Sequence, residues 1–166
     1  MSMLLAEALK ERANLETAIR ELKARIAGVA VHDEDETPTE SAADLVEQLL
    51  AMLSRAATLT ARINRSNNSV TVRFEGKSQN LMTAVLLRDE WKRQAEALRS
   101  IMSEVERALG GRSSYDFGRR RAKDEVKLVS DLAVKDLRAR ADTLSGRVSA
   151  LDMEIQKINF TAELAE

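Results

Sequence analysis

The chain has 166 residues, of which 44% are hydrophobic and only 3% aromatic, with six glycines and one proline. This composition is typical of long helices and argues against sandwiches, barrels and doubly wound sheets. Its 26 basic and 27 acidic residues leave a formal charge of −1, so no overall field attracts the chain to nucleic acid or to an anionic membrane. Because it has no cysteine and a single histidine, the chain cannot form disulfides, thiolate zinc sites or multi-histidine metal sites.

Four segments repeat an apolar spacing of three and four residues, which corresponds to the a and d positions of heptads and places one apolar stripe on each helix. Ser41 is predicted to cap the start of the second helix and Ser78 the start of the third, which Gly110 and Gly111 are predicted to end. At about 1.5 Å per residue, each helix is roughly 33 to 45 Å long. The predicted helices span about residues 3–28, 41–65, 78–109 and 132–159.

Two short segments have the composition of β-strands. Residues 69–74 alternate β-branched and aromatic side chains before a turn at Glu75-Gly76-Lys77, and residues 125–130 form a second such run. We expect the two runs to pair and, because two strands alone are marginally stable, to lie on the helices or on another subunit. The predicted fold is therefore all-α: one domain, residues 1–166, of four long antiparallel helices, arranged as a helical bundle or coiled-coil hairpins, with a small two-stranded β-ribbon.

The second helix carries a second apolar stripe beside its main one, formed by Val46, Leu50, Leu53 and Ala57 at spacings of four, three and four residues. A helix that is apolar on two faces needs more than one neighbour. Either this helix is central in a four-helix bundle, or its second face contacts other subunits, which is the interpretation we favour. The sequence therefore predicts a homo-oligomer that acts as a self-associating helical scaffold or protein-interaction module.

Two arginines occupy positions of the apolar stripes, Arg12 in the first helix and Arg88 in the third. A guanidinium at such a position must reach water or meet a carboxylate, because an unpaired buried charge is very costly. Glu16 and Asp89 are close in sequence, so we interpret the arginines as members of ion pairs that set the register of the helices. The alternative is an anion site between helices, formed by Arg12, Arg88 and Asp89.

Asparagines cluster where the second helix is predicted to end. Asn64, Arg65 and Asn67 follow its last apolar positions, and Asn159 has the same place in the fourth helix. Asparagine tolerates the left-handed backbone and its amide can bond to unpaired carbonyls, so we interpret this polar helix-end cluster as a stop signal. The alternative is a polar binding surface.

A basic segment, residues 112–123, combines cationic side chains with two aromatic rings, which together favour contact with single-stranded nucleic acid. A basic loop is more commonly solvated or docked on acidic groups, and residues 33–40 offer five carboxylates that could pair with it between subunits. Binding of nucleic acid or another polyanion is therefore the alternative function. Its candidate residues are Arg112, Tyr115, Phe117, Arg119, Arg120, Arg121 and Lys123.

The sequence contains no signature of catalysis or of metal binding. His32 lies beside the acidic residues 33–40, but linker carboxylates without fixed geometry seldom hold a specific ion, so no metal and no cofactor are predicted. There is no Walker motif, no G-x-G-x-x-G, no nucleophile elbow and no H-E-x-x-H helix, so we do not expect an enzyme.

No apolar run approaches the ~20 residues that span a bilayer, so no transmembrane segment is predicted. Glu7 interrupts the N-terminal apolar residues before a signal-peptide core could form. We therefore expect a cytoplasmic protein.

Several short motifs follow one another along nearly the whole chain: Leu-Ala-Glu-Ala-Leu-x-x-Arg-Ala-x-Leu at 5–15, Ile-Asn-Arg-Ser-Asn at 63–67, Arg88-Asp89, the run 126–129 and Ile-Asn-Phe at 158–160. In this order they resemble a family of uncharacterised bacterial helical proteins, some of which carry the label septicolysin. Ser66 and Phe160 stand where the family pattern has threonine and tryptophan. The label implies membrane lysis by name only, and the charged helices argue against it, so septicolysin-like membrane activity is the second alternative.

Overall fold

The fold is taken from a computed structural model, which describes residues 3–33, 35, 38–110 and 129–166. In chain order the elements are α1 (Leu5–Val29), α2 (Ala42–Ser69), β1 (Thr71–Phe74), β2 (Lys77–Asn80), α3 (Leu81–Gly110) and α4 (Val134–Thr161). The prediction of an all-α chain with four long helices and a two-stranded sheet is confirmed. The chain divides into two compact units, one of Met1–Met82 with Ile155–Glu166 and the other of Thr83–Glu154.

In the first unit, α1 and α2 pack side by side and run antiparallel. The apolar stripe of α1 is buried, as are Leu45, Leu59 and Ile63 on α2. Arg55 of α2 forms a salt bridge with Glu11 of α1. The predicted cap of α2 is confirmed, because the Ser41 hydroxyl accepts a hydrogen bond from the Asp44 backbone N–H at 3.3 Å.

The two strands form a local hairpin, which corrects the predicted pairing of 69–74 with 125–130. Thr71 pairs with Asn80 and Phe74 with Lys77, across a turn at Glu75 and Gly76. Both turn residues have positive φ, at 47° and 76°, as the tight turn of a two-residue hairpin requires. Such a turn closes the strands with far less loop entropy than a partner some fifty residues away would need.

The hairpin also corrects the predicted start of the third helix. Ser78 lies in β2 and does not cap a helix, and α3 begins at Leu81, whose backbone N–H donates to the Val70 carbonyl at 2.8 Å. Of the second predicted strand, Val129 and Ser130 are described and are not in a strand. Residues 125–128 lie outside the described residues.

The C-terminal residues of the first unit run beside the start of α1. Leu4 and Glu163 form an antiparallel bridge, with bonds from the Leu5 N–H to the Ala162 carbonyl at 2.9 Å and from the Leu164 N–H to the Met3 carbonyl at 2.8 Å. The Leu164 side chain is buried. Through Leu164, this C-terminal segment is therefore packed against the core of the first unit.

In the second unit, α3 and α4 run antiparallel, as their side-chain bonds show: Arg99 donates to the Ser145 hydroxyl at 2.7 Å and Arg138 pairs with Glu106 at 3.1 Å. Trp91 is buried, and the Arg147 guanidinium lies 3.9 Å from the centre of its ring. A cation over an indole face is electrostatically attracted to it, so this contact adds to the apolar packing between the two helices.

Candidate functional site

One face of α2 is buried and another is exposed although it is apolar. The buried face includes Leu45, Leu59 and Ile63. The exposed face, called the α2 ridge below, consists of Val46, Leu50, Leu53 and Ala57. At about 100° per residue, the centre of the ridge lies roughly 120° around the helix from the centre of the buried face. The packing of α2 on α1 therefore leaves the ridge free of the core.

The ridge is the most extended exposed apolar row on the described helices. Leu50 is 53% exposed, and Val46 and Leu53 are each 39% exposed. Elsewhere in the described part of the chain, large exposed apolar side chains do not form three successive members of a helical row. Single exposed apolar residues are normal on a protein surface, whereas a continuous row is typical of an interaction surface.

Charge along α2 is divided by position. Its acidic residues, Asp44 and Glu47, precede Leu50, whereas its basic residues, Arg55, Arg62 and Arg65, follow Leu53. One end of the helix that carries the ridge is therefore acidic and the other end is basic.

A cavity of about 420 Å³ lies in the first unit, against Ser54, Arg55 and Thr58 of α2. Its arginines are already engaged, because Arg55 is paired with Glu11 and the Arg62 Nε donates to the Ala165 carbonyl at 2.9 Å. The Thr58 hydroxyl donates within α2, to the Ser54 carbonyl at 3.1 Å. The bonds of Arg55 and Arg62 hold α2 to α1 and to the C-terminal residues of the first unit.

Arg62 belongs to a clamp on the C-terminal residues that the sequence reasoning missed. Ser66 is 1% exposed, and its hydroxyl oxygen accepts a hydrogen bond from the Ala165 backbone N–H at 2.7 Å. Arg62 binds the carbonyl of the same residue. The sequence feature that could have predicted this contact is the hydroxyl at position 66 on the buried stripe of α2, because a buried polar side chain needs a hydrogen-bond partner.

The two arginines at positions of the apolar stripes, Arg12 and Arg88, have different surroundings. Arg88 donates to the Asp89 Oδ1 at 2.8 and 3.0 Å and to the Asp152 Oδ1 at 2.9 Å. Burial lowers the pKa of Arg88, but the hydrogen bonds to Asp89 and Asp152 outweigh that effect, so its pKa is raised above the usual value. An anion that approached this guanidinium would have to compete with two carboxylates.

Arg12 lies in the first unit, whereas Arg88 and Asp89 lie in the second. Its Nε is 3.5 Å from the Glu16 Oε1 and is buried without a hydrogen bond among the described residues. The side chain is 36% exposed, so its charge is close to water.

The polar helix-end cluster does not end α2, because the helix continues to Ser69 and the prediction of its end near residue 65 is wrong. Asn64 and Arg65 are exposed on the helix, Asn67 is half-buried and Asn159 is buried near the end of α4. Relative to alanine, asparagine within a helix reduces the stability of the helix by only a few tenths of a kcal/mol, about 0.7 at most. Burial of Ile63 and Ser66 on the other face of α2 offsets this cost, so the helix continues to Ser69.

The basic segment of the polyanion alternative lies outside the described residues, and so do its candidates Arg112, Tyr115, Phe117, Arg119, Arg120, Arg121 and Lys123. Within the described ranges, no three His, Cys, Asp or Glu side chains gather in an arrangement that could hold a metal ion. None of the helices, over the residues described, has the length and apolarity needed to cross a bilayer.

A second apolar feature is an open groove of about 640 Å³ between α3 and α4 in the second unit. Small side chains at Ala97 and Ala139 leave the space, beside Leu98 and Leu144. Two of its polar side chains are engaged locally, because Gln94 donates to Glu90 at 2.9 Å and the Thr143 hydroxyl donates to the Ala139 carbonyl at 2.8 Å, while Arg140 also lines the groove. The groove thus presents mainly hydrocarbon.

Two comparisons with known proteins gave a match. The profile of a family described as "Family of unknown function (DUF6847)" matches residues 12–164. The crystal structure of a functionally unknown conserved protein from Corynebacterium diphtheriae is similar to the chain, with a TM-score of 0.79 and 26% sequence identity over 99% of each chain. No curated protein matches the chain. The predicted resemblance is confirmed as far as a helical family of unknown function, and neither match carries the septicolysin label.

Proposed function

We propose that this chain, which belongs to the DUF6847 family of unknown function, is a helical interaction module that self-associates through the α2 ridge. The observation that carries the proposal is the exposed row of Val46, Leu50 and Leu53 on a helix whose other face is already packed. The proposal includes a location in the cytoplasm, because disulfides are rare there and a chain without cysteine forgoes no stabilising crosslink.

The energetics of the ridge favour a weak association. Complete burial of a large apolar side chain contributes about 1.5–3 kcal/mol, so covering three partly exposed ones contributes roughly 2–4 kcal/mol per copy. Association of two proteins costs about 4–15 kcal/mol in lost translational and rotational freedom. The two ridges together contribute roughly 4–8 kcal/mol, which offsets only the lower part of this cost, so further complementary contacts must determine the affinity.

The hydrogen bonds of the polar side chains that line the cavities support an interaction role over an enzymatic one. Catalysis needs polar groups that converge on one point and remain available to a substrate. In the cavities described above, several of the polar groups are instead bonded to their own helix or to a neighbouring one. A non-enzymatic role is therefore the proposal, and no described residue favours polyanion binding or membrane lysis over self-association.

The native mass in solution tests the proposal. Light scattering coupled to size exclusion, over protein concentrations up to the millimolar range, is expected to show a multiple of 18.4 kDa. A variant with Leu50→Glu and Leu53→Glu is expected to return to the mass of one chain, because carboxylates cannot be buried in an apolar contact.

Met153→Glu is the matched control, because Met153 is 60% exposed on a helix but is not part of the ridge. It is expected to leave the native mass unchanged. Circular dichroism of both variants checks that the helices are retained. A wild-type mass of 18.4 kDa at every concentration would overturn the proposal.

A further inference from the structure

We infer that the open groove between α3 and α4 binds an alkyl carboxylate of medium chain length, with the alkyl chain on the apolar walls and the carboxylate on Arg140. All the residues that line the groove belong to the second unit. The inference therefore goes beyond the proposed function and does not depend on self-association through the α2 ridge.

The walls of the groove are suited to hydrocarbon. Ala97 on α3 and Ala139 on α4 have side chains too short to fill the space, and Leu98 and Leu144 supply the larger apolar surface. The volume of about 640 Å³ lies within the range of roughly 300–1,000 Å³ that is typical of small-molecule sites, which are also mainly apolar. The groove is therefore large enough for a small ligand and favours one that is mostly hydrocarbon.

Arg140 gives the groove its charge. Within the part of the chain that the structure describes, its guanidinium forms no ion pair and no hydrogen bond, although Asp136 lies one turn earlier on α4. Arg138, by contrast, is paired with Glu106 at 3.1 Å. A cation without a partner at an apolar wall is complementary to a ligand that joins an anionic group to a hydrocarbon chain, and a guanidinium matches the planar geometry of a carboxylate.

The extent of the groove favours a small ligand over a helix of another protein. The lining residues span positions 94–98 on α3 and 139–144 on α4, which is about 6–8 Å along each helix. A specific protein interface uses about 20–30 residues on each side, whereas seven described residues line this groove. An alkyl chain of medium length is covered by walls of this extent, and a partner helix would extend beyond them.

Calorimetric titration with alkyl carboxylates tests the inference. Hexanoate, octanoate and decanoate are used below their micelle concentrations, and each is expected to bind as one molecule per chain. Each added methylene group is expected to tighten binding by about two- to fourfold, because hydrocarbon leaves water on a groove that is open on one side. Octyltrimethylammonium has the same alkyl chain as octanoate and the opposite charge, so it is expected to bind more weakly.

Three variants test the walls and the charge separately. Ala97→Leu and Ala139→Leu each fill the groove at an exposed helical position, and each is expected to weaken octanoate binding by about tenfold or more. Leucine is a good helix former, so both variants are expected to fold. Arg140→Gln keeps the apolar walls, and it is expected to weaken octanoate binding by about two- to fivefold, as for the loss of an exposed ion pair.

Two exposed substitutions away from the groove are the matched controls. Ala13→Leu adds the same bulk on α1, in the first unit, and Arg107→Gln removes the same charge from α3. Arg107 lies roughly 120° around α3 from the residues that line the groove. Both variants are expected to bind octanoate like the wild-type chain, and circular dichroism of every variant checks that the helices are retained.

The other outcomes would overturn the inference. Absence of octanoate binding, or octanoate binding that neither Ala97→Leu nor Ala139→Leu weakens, would show that the groove does not hold the alkyl chain. Equal binding of octanoate and octyltrimethylammonium would show that Arg140 does not select an anion. A native mass that falls in Ala97→Leu would show that the groove holds a second copy of the chain. Octanoate binding by a chain whose native mass is 18.4 kDa at every concentration would support the inference while the proposed self-association failed.

Discussion

The hydroxyl oxygen of Ser66 accepts a hydrogen bond from the backbone N–H of Ala165, 99 residues further along the chain, at 2.7 Å. Ser66 is fully buried on α2, and the carbonyl of Ala165 is bound by Arg62, one helical turn earlier. The two bonds hold the backbone of Ala165 at both its N–H and its carbonyl. Because Leu164 is buried beside it, this segment completes the core of the first unit.

Ser66→Ala is expected to destabilise the chain by about 1–3 kcal/mol, because it leaves the N–H of Ala165 without its partner in a partly buried position. Ser66→Thr keeps the hydroxyl and is expected to have a smaller effect. Urea unfolding followed by circular dichroism measures both changes.

Ser54→Ala is the control for this prediction, since Ser54 is exposed on the same helix, and its effect is expected to stay within about 0.5 kcal/mol. Amide hydrogen exchange at residues 162–165 is expected to accelerate in Ser66→Ala more than in the rest of the chain. Equal stability of Ser66→Ala and Ser54→Ala would contradict the structural importance of this bond.

The Arg88 ion pairs are expected to contribute a coupling of about 0.5–1 kcal/mol, because Asp152 is partly exposed and solvent screens the charges. A double-mutant cycle with Arg88→Met and Asp152→Asn isolates this contribution. Arg99→Met with Asp142→Asn is a comparison cycle, because that pair is longer, at 3.8 Å, and more exposed. The coupling energy of Arg99 and Asp142 is expected to be smaller than that of Arg88 and Asp152. A larger value would contradict the stronger ion pair that the structure gives Arg88.

The pH dependence of Arg88 has a definite sign. Its pKa is raised in the folded chain, so the stability it contributes is fully present below the pKa of an unfolded arginine and is lost only as the pH rises through the folded value. Both values are far above neutral pH. We therefore expect unfolding experiments on Arg88→Met to show the same loss of stability at pH 6 as at pH 9, and a loss that grows as pH rises within this range would contradict this assignment.

Two glycines are expected to respond to alanine with opposite signs. Gly76 has a φ of +76° in the hairpin turn, so Gly76→Ala is expected to destabilise the chain by about 1 kcal/mol through backbone strain alone, as no neighbouring atom lies within 4 Å of the new Cβ. Gly146 lies within α4 and also has open space, so Gly146→Ala is expected to stabilise by about 0.5–1 kcal/mol. Thermal unfolding measures both changes in stability. Changes of the same sign in the two variants would contradict the described difference between the turn backbone of Gly76 and the helical backbone of Gly146.

Polyanion binding through residues 112–123 has its own test. For an interaction module of balanced charge, we expect no saturable binding of a labelled single-stranded oligonucleotide at physiological salt, measured by fluorescence anisotropy. Binding that weakens steeply with salt, and is lost when Arg119, Arg120 and Arg121 are changed to glutamine, would instead support the polyanion function.

Membrane lysis is expected to be absent. The wild-type chain, added to anionic vesicles that contain a self-quenching dye, is expected to release none of it above the level of a buffer control. Release that increases with protein concentration would support the septicolysin-like activity and would contradict the role proposed above.

Much of the helical architecture is determined by the local sequence. The three- and four-residue apolar spacing and the hydroxyl of Ser41 act within one or two turns, and the helices they predict are present. The α2 ridge was equally visible as a second row of apolar residues. Its spacing alone, however, is the same for a central helix of a bundle and for an exposed one.

The tertiary structure decided the features that depend on distant residues. It showed that α1 covers one face of α2, that Leu50 stays exposed on another face, and that Ser66 binds the backbone of Ala165. Periodicity determines which side of a helix is apolar, because that property repeats every turn. Which neighbour covers that side depends on packing and hydrogen bonds between segments far apart in sequence, and no local pattern encodes them.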